Sequence, residues 1–488
     1  CSGNMEASYL QFKIKKRMKT IDKNYLNGQF TPSKGTEIID IFNPANNQQI
    51  GKVVMGTESD ILAAIEHASN AFPAFSRSSK EQRIEYLKRL PDAIMERLED
   101  LQEVTTDEYG ATVQRSLWSN RYAAETFLYF REILKDFDFE RRIGQSRISL
   151  VPVGVTAIMT AWNANSGSIC VKLAAAIAAG CTTVIKPSEM SALQSQVLAE
   201  CFDKAGLPPG VINVVHGRGD VLGTVLSTHP AVAKILFTGS TTVGKIIARN
   251  AIETMKRVTL ELSGKSPNII LDDADLETAI PMAVNAGFMN NGQACIAGTR
   301  LLVPEHLLPE IKKIVLKTVE TLKVGDPRDE QTAIGPLAGS KQYDRIQHYI
   351  KLGMEEGAEL LTGGLGKPEG LSDGYYVKPT VFTGVTNDMA IAREEIFGPV
   401  LSIITYHTEA EAISIANDTI YGLHAYVSSS NMERANRVAA QINAGRVAIN
   451  TLYHDALAPF GGFKQSGIGR EGGVYGLEEQ LETKVIIG

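Results

Sequence analysis

The chain of 488 residues is poor in the features that mark extracellular, metal-bound and membrane proteins. Its five cysteines, Cys1, Cys170, Cys181, Cys201 and Cys295, are odd in number and widely spaced, and no CxxC pair occurs. That pattern argues against a disulfide framework or a metal site, and for a reducing, cytoplasmic compartment. No apolar run is long enough to cross a bilayer: the most apolar stretch, Leu173 to Ile185, is short and is broken by Gly180. Basic residues are not in excess either. A net charge of −6 argues against nucleic acid or an anionic membrane surface as the main partner, since both need a basic face. The opening segment lacks a signal-peptide pattern, and Met18 reads as a start, so the first 17 residues are set apart from the fold.

What is present is an ordinary globular composition, 44% hydrophobic and 21% charged, in a chain long enough to bury large cores. Residues 25–55 alternate apolar and polar positions between Gly, Pro and Asn, which predicts short strands and turns. From Ser59 to about Lys135 the period becomes helical, with Ser59 and Ser79 as expected N-caps. Between 153 and 262 strands and helices alternate with short connections, and Gly180 ends one helix. This predicts a parallel, doubly wound sheet. A second alternating stretch runs from about 264 to 450.

Several short motifs sit where such a fold binds ligands. "FTGSTTVGK" (Phe237 to Lys245) ends a strand and opens a helix, so Ser240 and the first-turn amides fit either a phosphate site or a tight turn. "GRGDVLG" is not a dinucleotide fingerprint. "IKPSE" places Lys186 and Glu189 at the carboxyl end of a strand, fitting either ribose contacts or a solvated ion pair. Glu261 in "LELSGKSP" closes an apolar strand, where partial burial would raise its pKa and suit a general base. "REEIFGPV" couples acids to Phe397, fitting either a sugar and ring contact or a turn with a core Phe, and "PFGGFKQSGIGREGG" holds six glycines in fifteen residues, a long, closely packed loop of a kind that is often functional. Cys295 stands alone among small residues in "NNGQACIAGTR".

Taken in order, "TAWNANSG", "IKPSE", "FTGSTTVG", "LELSGKSP", "GQACIAGTR", "EEIFGPV" and "PFGGFKQSGIGREGG" resemble the aldehyde dehydrogenase superfamily over essentially the whole chain from Tyr25. The resemblance implies an α/β fold with a Rossmann-type cofactor domain (18–132 and 152–263), an α/β catalytic domain (264–450), an active-site loop (451–470) and a small β oligomerisation element (133–151 and 471–488). It implies NAD-dependent oxidation of an aldehyde to a carboxylic acid. Cys295 matches the nucleophile, Asn163 the oxyanion donor and Glu261 the base that hydrolyses the thioester. Lys172 and Glu471 match a pair resembling a proton relay. Lys186 and Glu189 match adenosine-ribose contacts, with Glu189 favouring NAD over NADP. Trp162 and Ser240 match residues beside the pyrophosphate, Glu395 the nicotinamide-ribose ligand and Phe397 the aromatic next to it. Ser188, Gly239 and Leu262 complete the cofactor set. No metal is implied, and the expected assembly is a homodimer or homotetramer.

The chain departs from the family at Ala161 to Ser166, where two prolines and a large residue are missing. Ala164 and Val171 stand where bulky aromatics are common. A wider, somewhat polar substrate entrance is expected, with Asn165, Tyr453 and His454 nearby. No arginine falls at the matching tunnel positions, so nothing points to a carboxylate-bearing substrate such as succinic semialdehyde. Ser263 replaces the commoner glycine. Two alternatives remain: a coenzyme-A-acylating enzyme, which would lack the base at Glu261, and a non-catalytic binding protein on the same fold.

Overall fold

A computed structural model of the chain describes residues 19–488. Cys1 and the expected boundary at Met18 lie outside the described residues. Five parallel strands form the heart of the first sheet. Val155–Met159 is central, with Thr183–Lys186 and Ile212–Val214 on one side, and Val232–Thr238 and Arg257–Glu261 on the other. Strand order therefore reverses at Val155–Met159, and open α/β sheets bind ligands at the carboxyl ends beside such a reversal. Every residue of that central strand is buried, as expected where helices cover both faces of a parallel sheet. The hairpin Lys23–Leu26 and Gln29–Pro32 extends one edge. Its turn is Asn27-Gly28 with φ of 51° and 77°, the left-handed pair that suits strand twist. The short strand Gly467–Ile468, from the glycine-rich loop, closes the other edge against Arg257–Glu261.

Four helices, Glu58–Phe75, Lys80–Met95, Leu98–Tyr109 and Val113–Asp136, precede the central strand. Ser79 caps the second, its Oγ accepting from the Gln82 N–H. The first is capped by Thr57, not Ser59, because Asp60 at the third helical position can reach back to the Thr57 N–H. Helix Asn165–Ala179 is buried nearly all round and stops at Gly180, whose φ is 93°. Cys170, Cys181 and Cys201 are fully buried free thiols.

The chain leaves the first sheet at Glu261 and enters the second at Pro267. That sheet orders Thr380–Thr383, Val400–Tyr406, Arg300–Pro304, Pro267–Ile270, His424–Ser428 and Arg446–Ile449 in parallel, with Glu359–Thr362 antiparallel at one edge. The carboxyl ends of the first sheet thus face the amino ends of the second, and the cleft lies between them. Near the opposite end of the second sheet, Arg434 pairs with Asp272, Asp273 and Glu409. Glu140–Ile143, Ser146–Pro152 and Leu481–Ile486 form a separate three-stranded antiparallel sheet.

Candidate active site

Helix Leu276–Phe288 ends in an unusual turn. Asn290, Asn291 and Gly292 take φ of 54°, 60° and 70° in succession. Side chains crowd the backbone in that region, and asparagine and glycine tolerate it best. Asn291 holds the turn: its Nδ2 donates to the carbonyls of Gly110 at 3.1 Å and Pro336 at 3.0 Å, and its Oδ1 accepts from the Gly335 N–H at 2.8 Å. Asn290 donates to the carbonyls of Asn163 at 3.0 Å and Gln293 at 3.2 Å. Buried Gln293 is tied to Ala338 and Tyr109. Cys295 therefore follows a loop pinned on several sides. Opposite it, a Cβ on Gly264 would stand 2.3 Å from the Cys295 carbonyl oxygen, so only glycine permits this approach.

The Cys295 thiol is half-buried. Burial, then the negative charges of Glu395 and Glu261, push its pKa up to about 12, against the pull of the Cys295 and Ile296 N–H groups. Asn163 sits beside this loop and donates from Nδ2 to the Gln293 carbonyl at 2.9 Å.

Glu261 is buried at the end of its strand, and neither carboxyl oxygen has a hydrogen-bond partner among the described residues. Burial and then Glu471 raise its pKa well above the ordinary carboxylate range, opposed by Lys172, Arg470 and Arg446. Lys172 Nζ lies 2.8 Å from one Glu471 oxygen and 3.0 Å from the other, and also donates to Ser168 and Thr238. Glu471 is held by reciprocal main-chain bonds with Phe460, both 2.7 Å. A thiol, an uncommitted buried acid and an ion pair acting on that acid thus share one site.

The cofactor-matching residues line the first sheet's carboxyl edge. Ser240 caps helix Thr241–Ile252, its Oγ accepting from Val243 at 3.3 Å, and the other first-turn amides have no intrahelical partner. The Gly239 N–H donates to the Glu261 carbonyl, and Leu262 packs on Gly244. Lys186 Nζ is 3.1 Å from Glu189, whose other oxygen accepts from Gly219 at the start of helix Gly219–Thr228. That helix end is thereby occupied, which leaves the Ser240 end as the anion-ready one. Ser188 caps the short turn that carries Glu189. Glu395 accepts from the Gly264 N–H at 3.0 Å, and burial raises its pKa against the pull of Gly264 and of Ser263, the serine in place of glycine. Phe397 is held at φ 64° and meets Trp162 edge-on at 5.5 Å. An aromatic residue in that backbone region carries strain, and such strain clusters at functional sites.

Three expectations about the entrance need correction. Asn165 is not at the entrance: it is 1% exposed and donates to Ser195 at 3.1 Å, because it opens helix Asn165–Ala179 facing the sheet's interior. The entrance is also more aromatic than expected. Trp118 and Tyr122 stack at 5.5 Å, and His454 meets both edge-on while its Nε2 lies 3.2 Å from the Tyr122 hydroxyl. His454 was expected here, but Trp118 and Tyr122 come from helix Val113–Asp136, and sequence reasoning had no local signal for them. Finally, an arginine does reach this region. Arg115 stands over Trp118, and Cys295 acts on it electrostatically. Tyr453 is 76% exposed at the surface of the loop.

Among the described residues no group of three His, Cys, Asp or Glu is arranged to hold a metal ion, and no helix is long and apolar enough to cross a membrane.

The aldehyde dehydrogenase family model matches residues 30–486, and the chain belongs to that family of oxidoreductases. It is 46% identical over 473 residues to a 3-succinoylsemialdehyde-pyridine dehydrogenase from a Pseudomonas species, covering 96% of this chain and 99% of the relative. Among solved structures, it resembles a cysteine-to-alanine mutant of aldehyde dehydrogenase C from Pseudomonas syringae, complexed with NAD+ and octanal. The TM-score is 0.94 and the identity 43%, with 96% of both chains covered. It equally resembles an aldehyde dehydrogenase from Mycobacterium tuberculosis complexed with NAD+, with TM-score 0.94 and 38% identity over 96% of this chain and 98% of that one. These likenesses bear out the expected α/β fold and aldehyde-oxidising class.

Proposed function

We propose that this enzyme oxidises an aldehyde to its carboxylic acid with NAD+, through a thioester on Cys295. The observation that carries the residue assignment is Glu261: a buried carboxyl with no hydrogen-bond partner among the described residues, acting on the Cys295 thiol. The residues fit a dinucleotide on physical grounds: a helix end with unpartnered amides at Ser240, and the acidic and aromatic groups Glu395, Phe397 and Trp162 on the path to Cys295. Ser188, Lys186 and Glu189 would hold the adenosine ribose, with Gly239, Ser240 and Leu262 beside the phosphates. When bound, the nicotinamide supplies the hydride acceptor.

The chain's own residues do the rest. Cys295 loses its proton and its sulfur adds to the aldehyde carbon, giving a thiohemiacetal. The Asn163 amide and the Cys295 N–H hold the oxyanion. Oxidation of that carbon leaves a thioester. Glu261, once deprotonated, takes a proton from water, the hydroxide oxygen adds to the thioester carbon, and the C–S bond breaks to release carboxylate and Cys295. The Lys172–Glu471 pair sets the charge around Glu261 and offers its proton a way out. The net change consumes one aldehyde, one NAD+ and one water, and yields carboxylate, NADH and two protons.

NAD rather than NADP is the proposed cofactor, because the Glu189 carboxylate repels a 2′-phosphate. The proposed domains are 18–132 with 152–263 for the cofactor, 264–450 for catalysis, 451–470 as active-site loop, and 133–151 with 471–488 for assembly of a homodimer or homotetramer. Exposed Ile143, Val485 and Ile486 on the small antiparallel sheet support an interface there. A cytoplasmic location is proposed with it, and the free thiols support that reading. The test is NADH absorbance with propanal and NAD+, with and without coenzyme A. NADH formation without coenzyme A supports the proposal. A strict need for coenzyme A would replace it with the acylating reaction, and NAD binding without turnover of any aldehyde would replace it with a non-catalytic role.

A further inference from the structure

Arg115 occupies the first turn of helix Val113–Asp136, where a cation opposes the helix dipole, and no acidic residue shares that turn. Arg115, Trp118 and Tyr122 follow at helical spacing and share one face. The guanidinium lies 4.4 Å from the Trp118 ring centre. Stacking uses the flat face of the guanidinium and leaves its in-plane N–H groups free to receive a carboxylate in bidentate fashion. Among the described residues no carboxylate pairs with Arg115, and no acceptor takes its side-chain N–H groups. The contrast with nearby Arg446 is instructive. Arg446 donates to the carbonyls of Pro459, Asp455 and Ala458, so it clasps the loop and has little left to offer.

Arg115 is half-buried, and burial lowers its pKa from the usual arginine value while leaving it charged. The Trp118 ring it covers stacks on Tyr122 and meets His454 edge-on, and the ionisable groups that act on the guanidinium are Tyr109 and the Cys295 thiol. His454, which feels Arg115 and Arg446, has its pKa lowered to about 4, first by burial, and is neutral at physiological pH. Holding a guanidinium in a part-buried site without an anion is costly, and the cost is removed when a ligand brings one.

We propose that Arg115 is a specificity-determining residue that receives a carboxylate at the far end of the aldehyde, making the preferred substrates semialdehydes of dicarboxylic acids rather than plain alkanals. This deepens the proposed function and rests on it. The test compares kcat/KM for succinic, glutaric and adipic semialdehydes with butanal, pentanal and hexanal, using wild type, Arg115→Gln and Arg115→Lys with NAD+. At least one semialdehyde should exceed the alkanal of its length by about 10- to 100-fold, the range of a charge-assisted hydrogen bond. Arg115→Gln should collapse that ratio towards one, chiefly through KM, and Arg115→Lys should restore part of it. Alkanals favoured at every length by the wild type would overturn the inference, even if the variants fail to fold. So would a loss in Arg115→Gln shared equally by both substrate classes. Turnover of alkanals alone would leave the dehydrogenase reading standing, whereas no turnover of all six would remove both.

Discussion

The side-chain amide of Asn163 donates to the main-chain carbonyl of Gln293 at 2.9 Å, two residues before Cys295. The loop after the central strand of the first sheet is thereby fastened to the loop that carries Cys295. Asn163 still has a second N–H for an oxyanion. Asn163→Ala should lower kcat by about 100- to 1000-fold, the usual loss for one oxyanion donor, with a smaller change in KM. Steady-state kinetics decide it: a kcat within about threefold of wild type would remove Asn163 from the oxyanion role.

Glu261→Gln keeps shape but cannot act as a base. Thioester formation should continue while its hydrolysis fails. Rapid mixing with NAD+ and aldehyde should then give a burst approaching one NADH per active site, followed by slow turnover. A variant with wild-type steady-state turnover would mean that water is activated elsewhere.

The raised pKa of Cys295 has a definite sign. A thiol titrating at about 12 holds its proton at neutral pH, so the reactive thiolate fraction rises about tenfold per pH unit towards that value. Alkylation of Cys295 in the cofactor-free enzyme, followed by mass spectrometry, should accelerate steadily from pH 7 to pH 10. A plateau near the ordinary cysteine value of about 8.5 would contradict it. Glu395→Gln removes one of the acidic groups that raise this pKa and should speed labelling at a given pH.

Lys172 and Glu471 form a buried ion pair, and removing one partner strands the other charge. Lys172→Met should cost about 3–5 kcal/mol in urea unfolding, whereas Lys172→Met with Glu471→Met should recover much of that loss. Equal destabilisation by the single and double variants would show that the pair is not the cause.

Much of the site was legible because it rests on local chemistry. A lone thiol among small residues, a carboxylate closing an apolar strand and a serine opening a helix after a strand are short-range patterns. The order of motifs joined them into one family resemblance. Asn165 was misplaced because its neighbours in sequence say nothing about which side of its helix meets the sheet. His454 was expected at the entrance, but its partners Trp118 and Tyr122 were missed because they lie more than 300 positions away in sequence.

The sequence by itself determined the alternation of strands and helices, the family and the residue types available for chemistry, since periodicity, turn residues and motifs are written along the chain. Only the tertiary structure decided that, among the described residues, Glu261 has no hydrogen-bond partner, that Ser263 acts on Glu395, and that Arg115 stands over Trp118 with no carboxylate paired to it. Burial and electrostatic neighbourhood depend on which distant segments converge, and those are what set a group's pKa and what it is free to bind.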